Sequence, residues 1–299
     1  MMSGPPRREG FADFTVNGET HQTWYQVFGN LYSGTRPPLV VIHGGPGLSH
    51  DYLFPLTDLA ASASIAVIFY DQLGNGRSSR LPKKPKEFWN MDLFLDELDN
   101  LIAHLGVGDA FDILGHSYGG MIGAQYVVER QPSGLRHLIL SDSFASTDLW
   151  NQSLAQLAQA FPKDVQDGLR IGLRDVPKYK YGLMKFYSVH GCTVQPFPEE
   201  FIRTFDYVFG DGRDTTVADA MFPYLQGWSI IDRLPLITVP TLVINGKTDF
   251  AQDFATRPFF EHIPKVKWLT LEKSSHMPFW EERERYMREV GSFLEISDH

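Results

Sequence analysis

The sequence predicts an α/β protein built on a mostly parallel central sheet flanked by helices, and three observations lead there. Short aliphatic runs recur through both ends of the chain, at residues 39–42, 65–70, 111–114, 135–140, 241–244 and 266–271. Most do not alternate polar and apolar residues as a sheet with one wet face would, and the run at 241–244 reads as a buried strand. Helical stretches separate them, and strand–helix alternation of this kind implies parallel strands joined by right-handed crossovers.

The elements follow in order. Residues 11–26 carry alternating Thr, Val, Trp and Tyr around Asn17-Gly18, the signal of an antiparallel hairpin. Four aliphatic strands come next, so the run at 135–140 is the sixth strand. Between residues 145 and 231 the alternation stops: the segment is long, aromatic and without buried strands, which predicts a helical cap inserted after the sixth strand. Residues 1–144 and 232–299 would then be the two parts of one core, and a core of this length with one insertion suits 299 residues that are 43% hydrophobic. The cap aromatics Phe186, Tyr187, Phe197, Phe201, Phe205, Tyr207, Phe209, Phe222, Tyr224 and Trp228 divide between cap packing and the wall of an apolar pocket.

Chemistry is concentrated in the loops after the strands. Gly115-His116-Ser117-Tyr118-Gly119 is a G-x-S-x-G pattern between a strand and a small-residue helix, the setting of a nucleophile elbow. The strand at 241–244 runs into Asn245-Gly246-Lys247-Thr248-Asp249, and that at 266–271 into Glu272-Lys273-Ser274-Ser275-His276. Asp249 is therefore the candidate acid and His276 the candidate general base, ahead of Asp142 and Asp253 for the acid. His104 and His137 read as structural, and His116 as a neighbour of the nucleophile that cannot face it. The order Ser117, Asp249, His276 is that of α/β hydrolases. Oxyanion donors would be the Tyr118 amide and that of Gly44 or Gly45 in His43-Gly44-Gly45-Pro46-Gly47.

These motifs, together with Asp71-Gln72-Leu73-Gly74-Asn75-Gly76-Arg77-Ser78, resemble the proline iminopeptidase family of α/β hydrolases, including its fungal L-amino-acid amidase-like members. The resemblance covers both ends of the chain and is weak between about 145 and 230. It implies hydrolysis of an amide bond beside a free amino terminus, with Ser117, Asp249 and His276 at the positions of the family's triad. Tyr118 stands where the family often has tryptophan. Phe250 stands where amine-binding members carry a glutamate, and a phenyl ring cannot offset the desolvation of an ammonium group as a carboxylate does. Glu199, Glu200, Asp206 and Asp214 in the cap are candidate replacements, although surface solvation is the commoner fate of such groups.

Composition narrows the remainder. A net charge of −9 opposes nucleic acid or an anionic membrane as partner, and no apolar stretch is long enough to span a bilayer. Residues 1–10 do not resemble a signal peptide, and Cys192, the sole cysteine, reads as a small buried hydrophobe. A cytoplasmic enzyme is expected. No metal-ligand spacing appears, the glycines of 71–79 lack a phosphate-binding helix, and neither metal nor cofactor is expected; that loop instead shapes the floor beside the oxyanion loop. Three function classes follow: an amidase or aminopeptidase on a short peptide or small amide, an esterase or lactonase on an apolar small molecule, and an inactive binding module.

Overall fold

The computed structural model describes residues 6–31 and 36–296. Eight strands form one sheet: β1 (Arg7–Val16), β2 (Glu19–Phe28), β3 (Leu39–Ile42), β4 (Val67–Tyr70), β5 (Phe111–His116), β6 (Leu135–Ser141), β7 (Thr241–Gly246) and β8 (Val266–Leu271). Their order across the sheet is β1-β2-β4-β3-β5-β6-β7-β8. The pairs β1–β2 and β2–β4 are antiparallel and all others parallel, so the sheet is mostly parallel as expected.

Every residue of β3, β4, β5 and β7 is buried, which is why these strands read as unbroken aliphatic runs. Helices α2 (Met91–Leu105) and α3 (Tyr118–Arg130) pack Leu98, Leu101, Ile122 and Val127 onto one face. On the other face, α1 (Asp58–Ser62) and α11 (Arg283–Phe293) supply Leu59, Tyr286 and Val290. Each face thus has its own apolar core, and the sheet lies between them.

Strand bounds differ from the sequence reading in the hairpin and at β4, and by one or two residues at the ends of β5, β6 and β7. The hairpin extends to Arg7 and Phe28, because the charged stretch Arg7, Arg8, Glu9 pairs in register with Phe28, Val27 and Gln26 although its side chains face solvent. β4 begins at Val67, since the Ile65 amide is taken by the Leu59 carbonyl in the turn that closes α1.

Between β6 and β7 the chain forms five α-helices: α4 (Thr147–Ala158), α5 (Lys163–Ile171), α6 (Val176–His190), α7 (Glu199–Phe209) and α8 (Thr216–Tyr224). After β7 come α9 (Asp253–His262), then β8, then α10 (Pro278–Glu281) ahead of α11. Among the described residues no helix is long and apolar enough to cross a membrane.

Candidate active site

β5 delivers Ser117 to a sharp turn into α3, where the serine takes φ 55°, ψ −123°, a region costly for a residue with a side chain. The surroundings hold it there. Its amide donates to the Ser141 carbonyl at 2.9 Å, and its carbonyl accepts from the Gly120 amide at 2.9 Å and the Ser143 hydroxyl at 2.8 Å. The turn also requires glycine on both sides: a Cβ on Gly115 would lie 2.3 Å from the Gly119 carbonyl oxygen, and one on Gly119 only 2.1 Å from that of Ile42. The spacing of the motif is thus a steric consequence of packing α3 against β3 and β5.

Asp249 and His276 arrive from the neighbouring strand ends. The loops after β7 and β8 are tied together by Lys247 N–H to the Leu271 carbonyl at 2.9 Å and Thr248 N–H to that of Ser274 at 3.0 Å. His276 Nδ1 lies 2.7 Å from Asp249 Oδ1, which also accepts the Ala251 amide at 2.9 Å. Because a carboxylate accepts, the ring carries its proton on Nδ1, leaving Nε2 as the basic atom. Phe250 covers the imidazole with ring centroids 3.7 Å apart. Burial pushes the His276 pKa well below the ordinary histidine value, favouring the neutral ring.

Of the two rival acids, Asp253 accepts a hydrogen bond from Asn245 Nδ2 at 2.9 Å as the first residue of α9. Asp142, by contrast, is fully buried, and one of its oxygens lies within 4.8 Å of ligand-type atoms of both Asp249 and His276. His137 bonds Asp112 and the Ile296 carbonyl, and His104 packs against Tyr25, both away from the site.

His116 does more than neighbour the serine. Its Nε2 lies 2.8 Å from the His276 carbonyl oxygen and must donate to it, so Nδ1 is an acceptor and takes the Tyr52 hydroxyl proton at 2.7 Å. The Tyr52 oxygen then accepts the Gly44 amide, also at 2.7 Å. One chain of hydrogen bonds therefore joins the glycine loop after β3 to the histidine loop after β8. Burial depresses the His116 pKa as well, in keeping with the neutral ring this chain requires. The 71–79 loop clasps the glycine loop from the far side, through Gln72 Nε2 to the His43 carbonyl at 2.9 Å and Gln72 N–H to His43 Nε2 at 3.0 Å. Tyr52 carries no motif, and nothing in the sequence singled it out.

Two cavities meet at Gly45, Pro46, Trp150 and Phe222. The smaller, about 230 Å³, is lined by Ser117 and Tyr118; the larger, about 540 Å³, lies under α4–α8 and reaches Phe250. Phe186, Tyr187, Phe205, Phe209 and Phe222 line the larger one, whereas Phe201 is wholly buried between Phe197 and Phe205. Among the described residues no aspartate or glutamate lines either cavity, and Arg170 is the one charged residue that does. Glu199 and Asp206 are exposed, Glu200 and Asp214 half-buried, and none reaches the site. Cys192 is fully buried, its thiol pushed up to about 12 by burial, as expected of a small packing residue.

A serine elbow after one strand and a histidine–carboxylate pair in the loops after two others, on a mostly parallel sheet, define the α/β hydrolase class, and the family model for the alpha/beta hydrolase fold matches residues 37–283. The proline iminopeptidase of Lactobacillus delbrueckii subsp. lactis is 32% identical over 93% of this chain and 96% of its own length. The crystal structure of the proline iminopeptidase of Mycobacterium smegmatis superposes with a TM-score of 0.83 at 34% identity, covering 95% and 97% of the two chains. That of VinJ gives 0.86 at 38% identity over 96% and 98%. The chain belongs to the proline iminopeptidase family of α/β hydrolases.

Proposed function

We propose that this serine hydrolase of the proline iminopeptidase type works through an acyl-enzyme, with Ser117 as nucleophile, His276 as general base and Asp249 as the acid that fixes the imidazole. The observation that carries the reading is the 2.7 Å contact of His276 Nδ1 with Asp249 Oδ1, in a loop bonded to the residue next to the elbow serine. His276 Nε2 takes the Ser117 proton as Oγ attacks a carbonyl carbon, and the imidazolium so formed is stabilised by Asp249. Nε2–H then protonates the leaving nitrogen or oxygen, the C–N or C–O bond breaks, and a water activated by the same nitrogen hydrolyses the ester.

For the oxyanion, Tyr118 offers its amide as the first residue of α3, where no intrahelical acceptor exists. Gly44 has its N–H engaged by Tyr52, so the second donor is assigned to Gly45. Residues 145–231 serve as the cap that sets substrate choice.

Within that reading the substrate is an amino-terminal residue or small amino-acid amide. A second reading, ester or lactone cleavage on an apolar molecule, is favoured by the lack of a carboxylate among the described residues that line the cavities and by Phe250 over His276. Prolyl and alanyl arylamides, their amino-blocked forms, and short acyl esters and lactones distinguish the two. Cleavage that vanishes on blocking the amine supports the first; indifference to the amine supports the second. Ser117→Ala should lower kcat by about three orders of magnitude or more on whichever substrate is turned over. Near-wild-type turnover by that variant would overturn the mechanism.

A further inference from the structure

Asp142 directly follows β6, the strand between those that lead to Ser117 and Asp249. It is 0% exposed and sits at φ 52°. Its Oδ1 accepts the Gly246 amide at 3.1 Å, and its Oδ2 accepts the Ser141 hydroxyl at 2.7 Å, which in turn is bonded by the Tyr286 hydroxyl at 2.9 Å. Both atoms of its carboxyl are thus oriented by the fold, against a second buried carboxyl.

Asp249 explains why that matters. Its Oδ1 is shared by His276 and the Ala251 amide, but its Oδ2 is buried and no N–H or hydroxyl among the described residues reaches it. The carboxyl that faces this one is that of Asp142, with oxygens of the two within 4.8 Å of each other. Two carboxylates cannot both be ionised at such range in a dry interior, and an unmet buried carboxylate oxygen is itself costly. One proton between them removes both problems.

We propose that Asp142 is a positioning residue held as the neutral acid, whose O–H donates to Asp249 Oδ2 and so fixes the carboxylate that orients His276. The proposal rests on the triad reading above. The proton belongs on Asp142 because Asp249 faces the imidazole that becomes cationic when Ser117 attacks, and an ionised Asp249 is what stabilises that cation. Among the described residues the other titratable groups around the pair are Tyr52, Tyr187, Tyr286, His190 and Asp253, none of them a lysine or arginine able to hold both carboxyls ionised. Burial and the neighbouring carboxylate both push Asp142 well above the ordinary carboxylate range. The pair titrates as a unit, like two acids sharing one proton.

Asp142→Asn retains an N–H donor, tolerates the positive φ and carries no charge, so it mimics the neutral acid; Asp142→Gly suits the backbone but removes the donor. In Asp142→Asn, kcat should stay within about threefold of wild type and the acidic limb of kcat/KM should not move, because no charge has been removed. In Asp142→Gly, kcat should fall about ten- to hundredfold. The infrared difference spectrum of wild type against Asp142→Asn at neutral pH should show a protonated-carboxyl C=O band lost in the variant. That readout needs no turnover, so it stands even if Ser117 is not the nucleophile. The proposal is overturned by any of three results: no such band, an acidic limb displaced downward by about a unit or more in Asp142→Asn, or wild-type kcat in Asp142→Gly.

Discussion

Removing one oxygen from Tyr52 tests whether the two loops that frame the site are mechanically linked. Tyr52→Phe leaves the ring to pack on His116 and Phe279, with centroids 5.2 and 6.1 Å away, and deletes only the atom that bonds both Gly44 and His116. The side chain is 1% exposed, so water does not replace it freely. Two buried groups, the Gly44 N–H and His116 Nδ1, lose their partner at once. Each costs about 1–3 kcal/mol when stranded, and because both belong to one chain of bonds a combined loss of about 2–4 kcal/mol is expected. The change should appear as a lower denaturation midpoint at unchanged m-value. Freed from Tyr52, the amide of Gly44 no longer pins the loop that presents Gly45, and kcat/KM should fall about tenfold. A midpoint shift worth less than about 0.5 kcal/mol, together with wild-type kcat/KM, would mean that the Gly44–Tyr52–His116 chain does not hold the site.

The remaining predictions concern a buried acid and the cavity. Glu97 is 0% exposed, accepts the Thr23 hydroxyl at 2.5 Å and the Leu73 amide at 2.9 and 3.0 Å, and burial raises it to about 7. A raised folded-state pKa means that the native state binds this proton more tightly, so the contribution is complete below the ordinary value of 4.5 and lost as pH climbs through 7. Unfolding of Glu97→Gln lacks that term, and the variant should gain on wild type by about 3 kcal/mol between pH 4 and pH 8 in paired denaturant titrations; a constant difference would refute the buried charge. Ala158→Trp, on the wall of the larger cavity, should raise KM about tenfold for substrates with bulky apolar groups and leave the smallest ones within twofold. Equal effects on large and small substrates would place that cavity outside the substrate's path.

Much of the framework was legible because it is encoded locally. The aliphatic runs are strands, with β3, β4, β5 and β7 buried on both faces, the hairpin turns at Asn17-Gly18, and Ser117, Asp249 and His276 each follow a strand that the apolar pattern reveals. Glycine spacing around the serine was readable for the same reason, as backbone contact leaves no alternative to it. What escaped was nonlocal. Tyr52 meets His116 across 64 positions and Asp142 stands beside Asp249 across more than a hundred, and neither pair lies in a motif. Asp142 was visible only as a competitor for the role of acid, since a sequence shows that two carboxyls follow adjacent strands but not that they touch. Cap residues behaved likewise: an aromatic at helical spacing looks the same whether it lines the cavity, as Phe205 does, or fills the interior, as Phe201 does.

The order of strands across the sheet has a consequence for how such a site can change over time. β5, β6, β7 and β8 are consecutive neighbours, and the first, third and fourth carry Ser117, Asp249 and His276 in the loops that follow them. The second is not empty there, because Asp142 occupies it. The sheet therefore keeps two addresses for one carboxylate, separated by a single strand spacing of about 4.8 Å. A descendant that lost Asp249 would still own an acid beside its histidine, and one in which that spare took over would be free to rebuild the β7 loop for another purpose. On the proposed triad, a second carboxyl at the position next door gives this architecture a route to relocate the acid without dismantling the serine and histidine it serves.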